Sequence, residues 1–365
     1  HRTGDDAAFP LRTHDRHAEL VAPRFFGRAT ERALLAEAYR AAAQGLRIVA
    51  VAGVSGMGKT RLLAEAARGW TRSPVLWGRG RAFGQTAGYG LMAEALRALA
   101  GQPLTPAMQA AMREAVGTMG GEVLALVPEL RPLLGDADAV APLDPEHQQQ
   151  RLFTLLASLL ATLGTPDAPL VLVLDDLQWA DDGSLQFVLH LARRLDPRSM
   201  LMILSWRAEE VAPDSRIHRW LEQVRAAREV AFIELAPLTV ADVRTVVASM
   251  LGGEVPGVAE AVAAQAQGHP LHAIELTYAL AERGSLRHGP QGWYLDAAEA
   301  TRLARDTDDL LRTIVRRLDR LEPGEREVLA IAAVAGRAFT AEVVRQALQA
   351  QTASEAEPAA RRTVA

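Results

Sequence analysis

Eight residues, Gly53 to Thr60, read GVSGMGKT and leave few folds open to the chain. A short run from Leu46 to Ala52, apolar but for Arg47, precedes them, and a helical pattern from Arg61 to Arg68, closed by Gly69, follows. Apolar residues without alternation fit a strand covered on both faces, so the segment predicts strand, glycine loop, helix. Three glycines let the loop backbone curl until successive N–H groups converge, and the helix N-terminus adds partial positive charge. Such a loop is a seat for phosphate oxygens, and G-x-x-x-x-G-K-T is the spacing that builds it.

Composition singles out one side chain in the loop. The 40 basic residues are 39 arginines and one lysine, Lys59, and asparagine does not occur. A compositional bias toward arginine replaces lysine wherever a generic cation suffices. The lysine that is left should therefore sit where a planar guanidinium fails. A compact ammonium reaching β- and γ-phosphates is such a place, and the Thr60 hydroxyl beside it would be offered to Mg2+. Gly53, Val54, Ser55, Gly56, Met57, Gly58, Lys59, Thr60 and Arg61 are the expected polyphosphate contacts.

A second apolar run, Leu170 to Leu174, ends in Asp175 and Asp176. A buried strand that delivers carboxylates at its C-terminal edge places them beside the phosphates, where open α/β sheets bind ligands. Asp175 is the expected Mg2+ ligand through water, and Asp176 the group that orients or deprotonates an attacking water. Asp181 and Asp182 read as caps of the helix that follows.

The rest of the chain fits this frame. Strand patterns at 75–77, 200–205 and 230–235 alternate with helical ones at 30–43, 91–134, 146–163, 184–195 and 215–228, with a loop from Gly78 to Gly90. Alternation of this kind implies a parallel, doubly wound α/β sheet. Beyond 236 the pattern is helical at 240–251, 258–267 and 271–283, then a hairpin at 285–296, then helical again at 307–321, 324–335 and 341–348. The expected organisation is a polar tail or linker at 1–22, a nucleotide-binding αβα domain at 23–236, and a helical lid at 237–305. The start of a winged-helix-like domain at 306–350 and a frayed tail at 351–365 complete it.

Bulk properties narrow the function classes. At 365 residues, 49% hydrophobic and 23% charged, the chain has the material for two to three globular domains. A net charge of −4 gives no overall pull toward DNA or an anionic membrane, so any nucleic-acid contact must be local. The absence of cysteine excludes disulfides, thiol catalysis and cysteine-held zinc or iron–sulfur sites, and points to a cytoplasmic location. The longest apolar stretch, 168–174, is too short to span a bilayer, no leader pattern opens the chain, and His1 stands where a methionine would. A soluble piece of a longer protein is expected.

Taken together, these segments resemble the STAND branch of the AAA+-related P-loop NTPases, in particular the ATPase domains of LuxR-type and other bacterial signalling regulators. The resemblance runs from about Pro23 to Phe339, and four further segments carry it. RFFGRATE, residues 24–31, is similar to a short element whose glycine and arginine, here Gly27 and Arg28, lie near the nucleotide; Ala29 stands where an acid is usual. LDDLQWAD, residues 174–181, is similar to the extended Walker B segment of the subgroup, and LSWRAEE, residues 204–210, to a sensor strand whose Arg207 would read the γ-phosphate. QGHPLHAIEL, residues 267–276, is similar to the G-x-P element of the lid, where Pro270 would pack near the adenine. The resemblance implies a sheet order of 5-1-4-3-2, bound ATP or ADP with Mg2+, and slow hydrolysis that resets a switch. It also implies self-association or a covalently linked effector domain. DNA would be reached only through a region outside this chain.

Competing readings predict different residues. A motor or loader ATPase of the origin-recognition type, acting on DNA, needs an arginine on the lid helix, yet none occurs between Leu271 and Arg283. A P-loop kinase needs clustered lid arginines and an acceptor pocket. A nucleotide-locked scaffold that never turns over needs no catalytic group at all. Arg79, Arg81, Phe83 and Tyr89 read as an ordinary surface loop rather than a nucleic-acid stacking platform. His14 and His17 read as tail residues, and Arg312, Arg316, Arg317 and Arg320 as a solvated helix face.

Overall fold

The computed structural model describes residues 20–81, 88–102, 104–138, 140–141, 143–194, 199–282, 284–289 and 292–295, with short helical pieces at 326, 328–330 and 345–346. Two compact units are present, His1–Asp296 and Ala297–Ala365. The expected helices at 307–321, 324–335 and 341–348 lie largely outside the described residues. His14, His17, the arginine stripe at 312–320 and the tail at 351–365 lie wholly outside them.

Five strands form the first unit's main sheet: β1 (Arg47–Gly53), β2 (Val75–Arg79), β3 (Leu170–Asp175), β4 (Met200–Arg207) and β5 (Val230–Glu234). Every pairing is parallel, and the order β2-β3-β4-β1-β5 is the expected 5-1-4-3-2 seen from the other edge. This is the α/β fold of P-loop NTPases. The register sets Gly53 beside Arg207 and Arg79 beside Asp175, so the C-terminal ends of four strands meet along one rim.

Alternate strand residues point to opposite faces. Ile48, Ala50, Leu172, Leu174, Met202 and Leu204 share a core with the helices that follow β2, β3 and β4. Those helices are α3 (Gly90–Arg97), α4 (Pro106–Val116), α5 (Gly120–Leu126), α6 (Arg131–Leu134), α7 (Pro145–Ala161), α8 (Asp182–Arg193) and α9 (Arg216–Ala227). Val49, Val51, Val171, Val173, Leu201 and Ile203 face the other way, onto Leu35 and Leu62 and Leu63. These come from α1 (Ala29–Ala41) and from α2 (Lys59–Ala67), the helix that begins inside the glycine loop. Each such buried side chain contributes about 1.5–3 kcal/mol relative to exposure, so the rim rests on a rigid base.

Three more helices, α10 (Val240–Leu251), α11 (Val258–Ala266) and α12 (Pro270–Glu282), and the antiparallel hairpin of β6 (Leu286–Gly289) and β7 (Gly292–Leu295) complete the unit. Leu20 is buried and Val21 donates to the Met250 carbonyl at 3.0 Å, so the packed chain already includes these residues ahead of Pro23. Two strands run further than the sequence pattern gives, β2 to Arg79 and β4 to Arg207. Full cover on both faces fails at β5, an edge strand paired only with β1: Phe232 stays 43% exposed even with the Arg225 guanidinium over its ring. No helix among the described residues is long and apolar enough to cross a membrane.

Close packing of β2 on α3 depends on Gly78, where a Cβ would press into the Leu91 carbonyl. Gly78→Ala is expected to lower stability by about 1–3 kcal/mol or more. Gly253→Ala, which meets open space, should stay within about 0.5 kcal/mol; urea midpoints of the two variants check the contrast.

Candidate functional site

The glycine loop joins β1 to α2. Gly56 and Gly58 adopt φ of +80° and +88°, left-handed values that suit residues without a Cβ. Gly58 stands immediately before α2, so the first turn of that helix opens toward the loop. The Ser55 N–H donates to Glu209 Oε1 at 2.8 Å: the anion seat already holds a carboxylate from the segment after β4. Lys59 folds back, its ammonium donating to the carbonyls of Gly53 at 2.6 Å and Val54 at 3.1 Å. Burial lowers the Lys59 pKa, with Arg207 adding to the effect, while Glu209, Asp176 and Asp175 oppose it. Met57 sends its side chain into the core, while Val54 and Arg61 face outward.

Across the rim stand the two aspartates. Asp175 is fully buried; its Oδ1 accepts from the Ser205 hydroxyl and its Oδ2 from the Thr60 hydroxyl at 2.8 Å. Asp176 lies at φ +56°, a left-handed value that turns its carboxylate back along the rim. Arg79 spans the pair: Nε donates to Asp176 Oδ2 at 2.9 Å, and Nη2 to Asp175 Oδ2 at 2.9 Å and Thr60 Oγ1 at 3.2 Å. Arg207 approaches Asp176 Oδ1 at 3.6 Å, stacks over Trp179 at 4.4 Å and pairs with Glu210 at 2.7 Å. Gln178 ties these together, accepting from the Arg207 N–H and donating to Asp176 Oδ1, both at 3.2 Å.

Two further segments close on the loop. Arg28, buried and at φ +59°, pairs with Glu31 at 3.1 Å and donates to the Met57 carbonyl at 3.4 Å. Gly27 adopts φ +70° against the Asp242 carboxylate of α10. Pro270 is the first residue of α12, and the Leu271 N–H donates to the Gly56 carbonyl at 3.3 Å. The His269 ring abuts Gly56 and stacks on His272 at 4.2 Å; burial lowers its pKa, helped by the charges of His272 and Lys59 and opposed by Glu209.

Of the sequence-derived candidates, Gly53 to Thr60, Asp175, Asp176 and Arg207 meet at one rim; Arg28 reaches the loop at the Met57 carbonyl, Pro270 precedes the residue that bonds Gly56, Gly27 lies against Asp242 of α10, and Arg61 is exposed. Arg79, Ser205, Gln178 and Glu209 were not anticipated. Arg79 reads as a loop residue until β2 is paired with β3, which carries a cation to the same edge as the acids. Asp181 caps α8 as expected, accepting from Ser184 N at 2.8 Å, and also from Tyr89 N at 2.7 Å and Leu91 N at 3.2 Å. Asp182 is not a cap: it lies inside α8 and pairs with Arg216. Among the described residues no cluster of three His, Cys, Asp or Glu side chains is placed to hold a metal. A cation here would rest on the oxygens of Thr60 and Asp175. Those residues suit such a group, because a guanidinium already lies against the same oxygens and a carboxylate already sits on the Ser55 N–H.

Residues 24–204 match the family model described as AAA ATPase domain. No curated protein sequence matches the chain. Among solved structures it is similar to the ORC2 protein of Aeropyrum pernix in ADPNP–ADP complexes, at 16% identity over 92% of this chain and 82% of that one, TM-score 0.47. It is similar to a Walker-type ATPase of Pyrococcus abyssi at 14% identity, over 91% and 87%, TM-score 0.48. A third likeness is to a STAND protein with a tetratricopeptide repeat sensor from Pyrococcus horikoshii, at 14% identity over 91% of this chain and 51% of that one, TM-score 0.34.

Because Glu209 occupies an anion seat, Glu209→Gln is expected to bind inorganic tripolyphosphate about threefold to tenfold more tightly, an effect of about 0.7–1.4 kcal/mol, measurable by calorimetry. Asp181→Ala removes one acceptor from three backbone N–H groups and should lower stability by about 1–3 kcal/mol in urea denaturation.

Proposed function

We propose, from the premise that residues 24–204 carry an AAA-type ATPase domain, that the chain binds ATP and hydrolyses it slowly as a molecular switch. The carrying observation is the convergence of the glycine loop, the Asp175–Asp176 pair and Arg207 on one rim, with α12 starting directly on Gly56. In this reading 23–236 is the nucleotide-binding domain, 237–305 the lid and 306–350 the start of a winged-helix-like domain. The reading extends to a signalling or transcriptional regulator whose output comes from a linked effector domain or from self-association.

Each residue has a task in it. Lys59 exchanges its two loop carbonyls for phosphate oxygens, and the Ser55 N–H exchanges Glu209 for one. Thr60 and Asp175 would hold Mg2+, which neutralises part of the phosphate charge when bound. Asp176, turned along the rim and not hydrogen-bonded to Thr60, orients the attacking water and accepts its proton at a carboxylate oxygen. Arg207, steered by Trp179 and Gln178, senses the γ-phosphate; Pro270 packs near the base. The Leu271–Gly56 hydrogen bond passes a change in the loop to α12, a hinge-type coupling. A DNA-acting motor of the origin-recognition type would want an arginine on the lid helix, and α12 carries none.

Lys59→Ala should weaken ATP binding at least about tenfold, and undiminished affinity would overturn the reading. Asp176→Asn should keep binding but lower phosphate release about a hundredfold; an unchanged rate would remove its catalytic role. The lowered Lys59 pKa sets the sign of the pH dependence: the ammonium binds phosphate and the neutral amine does not, so affinity falls with rising pH, beginning below the ordinary value of 10.5. Lys59→Arg, weaker but always charged, should flatten that alkaline limb in a binding titration.

A further inference from the structure

Two adjacent carboxylates, one fully buried and the other 8% exposed, need compensating charge close by. Lys59 does not supply it directly, since its ammonium is held by two loop carbonyls. Arg207 stands off at 3.6 Å from one oxygen and is shared with Glu210. Arg79 makes the direct contacts, its planar fork bridging Asp176 and Asp175 with a third bond to Thr60. Its backbone is pinned by the β2–β3 register and by the Gly80 N–H on the Asp175 carbonyl at 2.9 Å. The side chain, 23% exposed, is the part free to leave.

We infer that Arg79 is the resident counter-cation of this rim and sets how much divalent metal the site requires, because guanidinium and metal compete for the same oxygens of Thr60 and Asp175. The inference rests on the reading of Thr60 and Asp175 as the metal-holding pair. A Mg2+-sized ion demands oxygen ligands at about 2.0–2.1 Å in a closed octahedral shell, which here would draw on the Thr60 hydroxyl and on water held at the Asp175 carboxylate, where Nη2 now lies. Nη2 lies against both oxygens of the Thr60–Asp175 hydrogen bond, 3.2 Å from Thr60 Oγ1 and 2.9 Å from Asp175 Oδ2, and carries charge of the metal's sign. One occupant excludes the other. Loading the site would therefore turn Nη2 off Asp175, while the Nε contact nearer the backbone keeps the guanidinium beside Asp176, the water-orienting carboxylate.

Mn2+ titration of the whole chain with a non-hydrolysable ATP analogue, free Mn2+ being read by electron paramagnetic resonance, tests this without using turnover. Arg79→Gln is expected to lower half-saturating Mn2+ about threefold or more, the scale of one partly exposed ion pair. In thermal melts Mn2+ alone should stabilise this variant more than the wild type. Arg79→Lys keeps one cation that reaches one carboxylate at a time and should fall between the two; it carries the test if the glutamine variant does not fold. Half-saturation equal to or above that of the wild type overturns the competition and leaves the ATP-switch reading standing. If the wild type and both variants bind no Mn2+ with the analogue, the metal-site reading falls and the competition with it.

Discussion

Two acidic side chains at the end of a hydrophobic strand set the terms for everything around them. β3 buries five aliphatic residues and then delivers Asp175 and Asp176 with almost no access to water. An isolated ionised carboxylate in such a place would cost several kcal/mol, so the neighbouring strand ends must supply donors and cations. They do: Ser205 from β4, Thr60 from α2, Arg79 from β2 and Arg207 from β4 all reach the pair. Parallel pairing makes this possible, because it gathers the C-terminal ends of every strand on the same side. The sheet topology is thus a precondition for the electrostatics.

The same arrangement accounts for how the helical segment beyond β5 meets the sheet. α12 begins with Pro270, which has no N–H to leave unsatisfied in a first turn, and the next N–H is taken by the Gly56 carbonyl. Gly268 turns left-handed just before it, against the Leu238 backbone, and its carbonyl accepts from Leu238 N at 2.8 Å. The His269 ring lies against Gly56, between loop and helix, where burial above all lowers its pKa. A change in what the loop's N–H groups hold therefore has a short, hydrogen-bonded route to α12.

Much of this was legible in the residues alone, for a physical reason: a strand buried on both faces has to be an uninterrupted apolar run, and a loop curling around an anion has to be rich in glycine. β1, β3 and β4, the glycine loop and the acidic pair follow from those two constraints. Arg79 escaped because Val75–Trp77 shows too short an apolar stretch to reveal that the strand continues through Gly78, a residue required by the Leu91 carbonyl. Glu209 escaped because its contact with Ser55 spans 154 residues and needs the β1–β4 pairing to exist first. Asp182 was misread for a local reason: two aspartates precede Gly183, either of which fits a cap, and only the helix start at Asp182 separates them. The exposure of Phe232 is likewise a property of sheet order, since no feature within β5 says that it lies at an edge.

The nearly lysine-free composition acquires a structural meaning from the two cations at the rim. Arg79 must bridge two carboxylates whose nearest oxygens lie on different residues, and a planar fork with separate Nε and Nη2 donors does this in one geometry. Lys59 must turn within a narrow loop between two carbonyls of consecutive residues, Gly53 and Val54, and a single ammonium at the end of a thin stem fits where a fork would not. The two positions therefore tolerate exchange unequally. An arginine at position 59 would have to lodge its planar head where the loop offers oxygens only around a point. A lysine at position 79 would keep the charge but give up one of the two carboxylates. The chain places each cation type where its shape, rather than its charge alone, is what the oxygens demand.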